Sequence, residues 1–176
     1  KMNKEGVPFE ECSELEKMLS NTDIDFVKGD IILDGEIVNS LIRTPEVSML
    51  ASKCSALPLV REKLVEIQRG MGSRKSVIMD GRDIATVVFP DAELKLFLTA
   101  RPEVRAQRRY DELIAKGEHP DYNDVLRDVN DRDYRDTHRT ESPLRQAEDA
   151  IVIDNSDMTR EQQMEHIYSL FDKATI

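Results

Sequence analysis

Apolar positions change rhythm along this chain, and each rhythm predicts a different element. In the first twenty residues Phe9, Leu15, Met18 and Leu19 stand among charges, which predicts a short amphipathic helix. Then Ile24–Val27, Ile31–Leu33 and Glu36–Val38 form short β-prone runs, separated by Lys28-Gly29-Asp30 and Asp34-Gly35. Such runs with glycine-containing turns predict a three-stranded antiparallel meander. Thr44-Pro45-Glu46 has the composition of a helix start, with Thr as N-cap and Pro in the first turn, and that helix runs to about Ala56. Pro58 opens another, carrying Leu59, Val60, Leu64, Ile67 and Met71 at helical spacing.

The second half is different. Short apolar runs at 76–79, 94–98 and 150–153 predict buried strands. Each is followed by polar residues: Asp80-Gly81-Arg82-Asp83, Thr99-Ala100-Arg101 and Asp154-Asn155-Ser156. Helical patterns cover 102–116, 122–138 and 159–173, the last opening with the capping-box sequence Thr159-Arg160-Glu161-Gln162. Strands alternating with helices predict a parallel sheet in an α/β domain, whose ligands bind at the carboxyl ends of the strands.

Composition narrows the class. A chain of 176 residues, 39% hydrophobic and 34% charged, describes a globular domain able to bury its own core. No apolar run reaches the roughly 18–20 residues that a spanning helix needs. Cys12 and Cys54 are too few for a disulfide scaffold, and two reduced thiols fit a cytoplasmic protein. The net charge of −10 argues against nucleic acid and anionic membranes as partners. Against that acidity, arginines crowd between Arg101 and Arg145, which points to a confined anion site or to a face of surface ion pairs.

Two stretches sharpen the choice. Arg132, Asp136 and Arg139 share one helical face at i, i+4 and i+7, within a run that also holds Arg127, Asp128, Asp131, Asp133 and Arg135. This is either a solvated ladder or a clamp of guanidiniums for phosphate with a carboxylate for a sugar hydroxyl. Arg105, Arg108 and Arg109 form a second face with few acidic neighbours at matching positions, as a polyphosphate lid requires. Asp80-Gly81-Arg82-Asp83 projects charge at the ligand edge of the sheet, glycine supplying backbone freedom. His119, His138 and His166 are scattered, and no Ser-His-Asp set or metal-ligand spacing is present.

From Asp25 to the C-terminus the chain resembles bacterial cytidylate kinases, of the nucleoside monophosphate kinase superfamily. The segments that carry the resemblance are Ile42-Arg43-Thr44-Pro45-Glu46-Val47, Ala51-Ser52, Val60-Arg61-Glu62, Asp80–Asp83 continuing through Thr86-Val87-Val88-Phe89-Pro90-Asp91-Ala92, Arg105 with Arg108-Arg109, and Arg132–Asp136 leading to Arg139. The Gly-Arg-Asp segment with its continuation is the most specific of them. The resemblance implies phosphoryl transfer from ATP, with Mg²⁺, to CMP or dCMP by a monomer. It implies that Ser52, Arg61 and Asp83 read the cytosine, that Arg82 and Arg139 meet the CMP phosphate, and that Arg132 and Asp136 meet the pentose. Arg105, Arg108 and Arg109, with Arg139, are the arginines it brings to the transferred group. It divides the chain into a monophosphate-binding region with the meander over 1–75, a sheet core over 76–100 and 148–176, and a lid with arginine-rich helices over 101–147.

The same resemblance implies a strand and a phosphate-binding loop G-x-x-x-x-G-K-[ST], and no run of that form occurs in these residues. The expectation is therefore an incomplete P-loop α/β core, with the absent first strand lying between those at 76–79 and 94–98. On this expectation the residues are the C-terminal four-fifths of such a kinase and transfer little or nothing alone. Two alternatives stand beside it: a CMP-binding fragment without catalysis, and an acidic interaction protein whose arginines only form ion pairs.

Overall fold

The amphipathic pattern of the first twenty residues becomes two helices, α1 (Met2–Glu5) and α2 (Ser13–Ser20), in a computed structural model that describes residues 1–74 and 76–174 and, among these, all side chains except those of Pro45 and Ser52. The break has a local cause: Gly6 ends α1 in the left-handed conformation at φ 68°, and Pro8 follows two residues on. Two compact units follow along the chain, residues 1–79 and 80–176.

In the first unit the meander forms as the turns predict. Strands β1 (Ile24–Val27), β2 (Asp30–Leu33) and β3 (Glu36–Ile37) pair antiparallel in chain order. Lys28-Gly29 and Asp34-Gly35 all have positive φ, the backbone of two-residue turns whose twist matches that of the strands. Asp34 also accepts from the Asp23 amide at 2.9 Å, which closes the base of the second turn onto the first strand. Helix α3 (Pro45–Cys54) starts where expected, its Thr44 hydroxyl accepting from the Val47 amide at 3.2 Å. The core of this unit is Met2, Leu15 and Met18 against Val60 of α4 (Pro58–Arg74), with Leu15 fully buried.

In the second unit β4 (Leu96–Thr99) and β5 (Ile151–Asp154) run parallel, Leu96 facing Ile151 and Thr99 facing Asp154. The crossover between them carries α5 (Pro102–Ala115) and α6 (Tyr122–His138), which pack on each other, with Tyr110 edge-on to Tyr122 at 6.0 Å. Helix α7 (Arg160–Ala174) follows β5. Its capping box closes both ways: the Thr159 amide donates to Gln162 Oε1 at 2.9 Å, and the Gln162 amide donates to the Thr159 hydroxyl at 3.2 Å. Val88, Ala106, Val125 and Ile153 are buried in this unit. At the start of β4 the Lys95 ammonium is almost fully buried, donating to the Pro90 carbonyl and to Asp149 Oδ2 at 2.5 Å.

The structure departs from expectation at 76–79, where no strand forms. A strand exists only through its ladder of partners, and among the described residues the parallel sheet contains β4 and β5 alone. Val77 and Ile78 are exposed rather than buried, Ile78 almost completely. A π-helical turn, Ile84–Val88, which the sequence pattern does not suggest, follows Asp83 and leads the chain toward β4. Gly81 has a different role from the one expected. Its φ is not in the left-handed region, but a Cβ there would stand 2.8 Å from Ile84 Cγ1. Glycine is required for the close approach of that side chain. Among the described residues no helix is long and apolar enough to cross a membrane.

Candidate functional site

The segment after Asp80 and the last turns of α6 meet in the second unit, and five of the arginines and carboxylates singled out in the sequence meet with them. One turn of α6 places Arg132 and Asp136 on the same face. Arg82 Nε donates to Asp136 Oδ2 at 2.7 Å, and Arg132 Nε lies 3.8 Å from the same oxygen. Arg139 closes the helix as its C-cap, and its Nη2 lies 4.0 Å from Asp83 Oδ2. The carboxylates are the sheltered members, Asp83 at 14% and Asp136 at 20% side-chain exposure, while Arg132 is 67% exposed. Three guanidiniums against two carboxylates leave the cluster positive within an acidic protein. Forked N–H donors with spare hydrogens at a solvent-facing edge are suited to an oxyanion such as a phosphate.

Arg139 is oriented from behind. Its Nε donates to the Ser142 carbonyl at 2.8 Å, and Nη2 donates to the same oxygen. The Leu144 amide then returns to the Asp136 carbonyl at 2.7 Å, satisfying one of the helix's terminal acceptors.

The arginines of α5 correct the expectation of a face without partners. Arg105 Nη1 and Nη2 donate to both oxygens of Asp133 on α6 at 2.8 and 2.6 Å, while its Nε donates to the Ala100 carbonyl at 2.9 Å. Arg108 donates to Asn155 Oδ1 at 2.8 Å and to the Asn155 carbonyl at 2.7 Å, just past β5. Arg109 pairs within its own helix with Glu112 at 2.9 Å. Arg101 takes Asp157 in a two-pronged pair at 3.0 and 2.6 Å. Counting acids along one helix misses these partners, because three of the four arginines find them on other elements. Asp133 and Asn155 are thus structural members of this region that spacing alone does not distinguish. The only sequence signal for them is their position, Asp133 inside the run 127–139 and Asn155 at the carboxyl end of a strand.

The remaining residues of the expected base-reading set lie in the first unit. Arg61, in the first turn of α4, donates from Nη1 to the Ser55 carbonyl at 3.4 Å. The Ser52 side chain lies outside the described residues.

Charge pairing tunes the acids. The hydrogen bonds from Arg105, aided by the charges of Arg105, Arg82 and Arg132, hold the Asp133 carboxyl below the ordinary carboxylate range, and Asp133 raises the guanidinium of Arg105 in turn. A carboxyl with a lowered folded pKa binds fewer protons folded than unfolded. Its contribution is whole above the unfolded value of about 4 and is lost as pH falls through the folded one. Asp133→Asn is therefore expected to destabilise the second unit at pH 7 by about 1 kcal/mol, a figure held down because both partners are more than a third exposed. It is also expected to flatten the stability curve below about pH 4. Urea melts of both forms across pH 3–7 check this, and parallel curves would contradict it.

Comparison with known proteins gives a consistent result. A family model described as cytidylate kinase matches residues 1–173. A cytidylate kinase of Bacteroides thetaiotaomicron is 53% identical over 147 residues, covering 84% of this chain and 64% of the relative. One of Caldicellulosiruptor saccharolyticus is 48% identical over 178 residues, covering 99% of this chain and 79% of the relative. One of Parabacteroides distasonis is 49% identical over 176 residues, covering 97% and 76%. The chain thus spans between 64% and 79% of the length of these relatives, less than two-thirds of the first.

Proposed function

The chain belongs to the cytidylate kinase family, and from that premise we propose that it binds CMP or dCMP and serves transfer of a phosphoryl group to it from ATP. The observation that carries this reading is the convergence of Arg82, Asp83, Arg132, Asp136 and Arg139 at one edge of the second unit. Arg82 and Arg139 offer N–H donors to the CMP phosphate. Asp136, held between two guanidiniums, accepts from a pentose hydroxyl, and Arg132 approaches the same sugar. Asp83 accepts from the exocyclic amine of cytosine, the base whose reading the family resemblance also assigns to Ser52 and Arg61. Uracil carries a carbonyl where cytosine carries that amine, so the oxygens of Asp83 would face it acceptor to acceptor.

Phosphoryl transfer makes few covalent demands on a protein. The acceptor oxygen attacks the terminal phosphorus of ATP in line, the bond to the leaving ADP oxygen breaks, and fixed cations offset the charge on the transferred group. Arg105, Arg108, Arg109 and Arg139 supply that charge in this reading, with the α5 arginines exchanging their present acidic and amide partners for phosphate as the site closes. Among the described residues no three His, Cys, Asp or Glu side chains converge to hold a metal ion. Mg²⁺ in phosphoryl transfer is held largely by substrate phosphates and water rather than by an all-protein cage, and no step here is routed through it. A monomer working in the cytoplasm, where both thiols stay reduced, completes the reading.

Two measurements test it. Calorimetry with CMP, CDP and UMP is expected to show binding of CMP and none of UMP, and heat with neither nucleotide overturns the assignment. A coupled ADP-release assay is expected to show little turnover from these 176 residues, which contain no G-x-x-x-x-G-K-[ST] run. Turnover is expected once a segment carrying that loop is joined to them. Robust activity from the 176 residues alone would contradict the dependence on that loop.

A further inference from the structure

Three non-glycine residues among those described have positive φ: Lys28, Asp34 and Ser142. The first two sit in the hairpin turns of the meander, whose geometry demands it. Ser142, at φ 46°, has no hairpin to account for it. It is also followed by Pro143, and a residue before proline is driven toward extended backbone. A side-chain-bearing residue in this position is strained twice over, and such strain persists only where surrounding structure holds it.

What the strained conformation accomplishes is visible in its carbonyl. The Ser142 oxygen takes two hydrogen bonds from one guanidinium, from Nε and Nη2 of Arg139. Two residues later the Leu144 amide ties the chain back to the Asp136 carbonyl. Turned into the usual negative-φ region, Ser142 would carry its carbonyl away from Arg139. A guanidinium held through Nε and Nη2 keeps Nη1, with its two hydrogens, to present elsewhere. An arginine at the frayed end of a helix otherwise samples many rotamers, and fixing it beforehand lowers the entropic cost of binding an anion.

We infer that Ser142 is a positioning residue: its left-handed backbone aims its carbonyl at Arg139 and so presets that guanidinium for the nucleotide phosphate. This rests on the phosphate role proposed above for Arg139. It concerns the backbone of Ser142 rather than its hydroxyl, and that makes it separable from a general loss of fold.

The test compares CMP with cytidine, which lacks the phosphate. Ser142→Val, whose branched side chain is excluded from positive φ, is expected to weaken CMP binding about tenfold or more while leaving cytidine binding unchanged. Ser142→Gly, which adopts the conformation without strain, is expected to bind CMP at least as tightly as the parent. In an Arg139→Ala background Ser142→Val is expected to add no further loss. Unfolding midpoints of each variant show whether the unit remains folded. If the parent shows no preference for CMP over cytidine, the phosphate assignment itself fails. If the parent prefers CMP and Ser142→Val retains that preference while folded, the positioning role is wrong. It is equally wrong if Ser142→Gly loses as much as Ser142→Val, or if the loss persists without Arg139.

Discussion

Asp136→Ala is expected to weaken CMP binding about a hundredfold, the largest loss of any single substitution in the cluster. Asp136 is the shared anion of two cations: Arg82 donates to its Oδ2 at 2.7 Å, and Arg132 stands 3.8 Å from the same atom. Its removal does three things at once. It deletes the acceptor assigned to the pentose, leaves two neighbouring guanidiniums repelling each other, and frees both to leave the positions in which they meet the nucleotide. A hydrogen bond to a charged group contributes about 1.5–3 kcal/mol, and about 1.4 kcal/mol corresponds to a factor of ten, so loss of the acceptor with partial loss of its two partners reaches about a hundredfold. Asp136→Asn keeps an acceptor of the same size without the charge and is expected to lose less. Calorimetric titration with CMP at low ionic strength reads both. A loss below about threefold for the alanine variant, in a folded protein, would remove Asp136 from the site.

Asp83→Asn is expected to collapse the preference for CMP over UMP by about a hundredfold, mostly through loss of CMP binding and partly through gain of UMP. The reason is donor–acceptor matching. A carboxylate accepts from the cytosine amine and opposes the uracil carbonyl, whereas an amide can turn its NH₂ toward that carbonyl. One such reversal is worth about 1–3 kcal/mol on each side of the comparison. Asp83 is suited to the role because it is sheltered, with 14% of its side chain exposed, and because it is held beside Arg139 rather than buried among apolar groups. Asp83→Ala should weaken CMP without aiding UMP, which separates loss of a contact from reversal of one. Unchanged selectivity in both variants would take Asp83 out of the base-reading set.

These expectations rest on parts of the molecule that differ in how readily they could be read beforehand. The face shared by Arg132 and Asp136 follows from helical spacing. The Thr44 cap, the Thr159–Gln162 capping box and the two glycine turns likewise follow from local rules that need only a few neighbouring residues. The strand expected at 76–79 shows the limit of such rules. Its residues have the right character, yet a strand is a relation between two stretches of chain, and no partner lies beside it among the described residues. Gly81 shows a subtler limit, because the need for glycine comes from Ile84 approaching it and not from its own dihedral angles.

The order and type of nearly every element, the segments that mark the family, and the residue types a phosphate and a cytosine would need are all legible along the chain. Those properties are local, carried by spacing along the backbone and by the chemistry of single side chains. Which acceptor each arginine takes depends on the packing of the elements in three dimensions. Arg82 crosses to Asp136, Arg105 to Asp133 and Arg108 to Asn155, over separations of 54, 28 and 47 residues. The tertiary structure also decides that Ser142 turns its carbonyl on Arg139. Charge pairing falls off over a few ångströms, so it depends on distance through space, and that distance is set by how the elements pack.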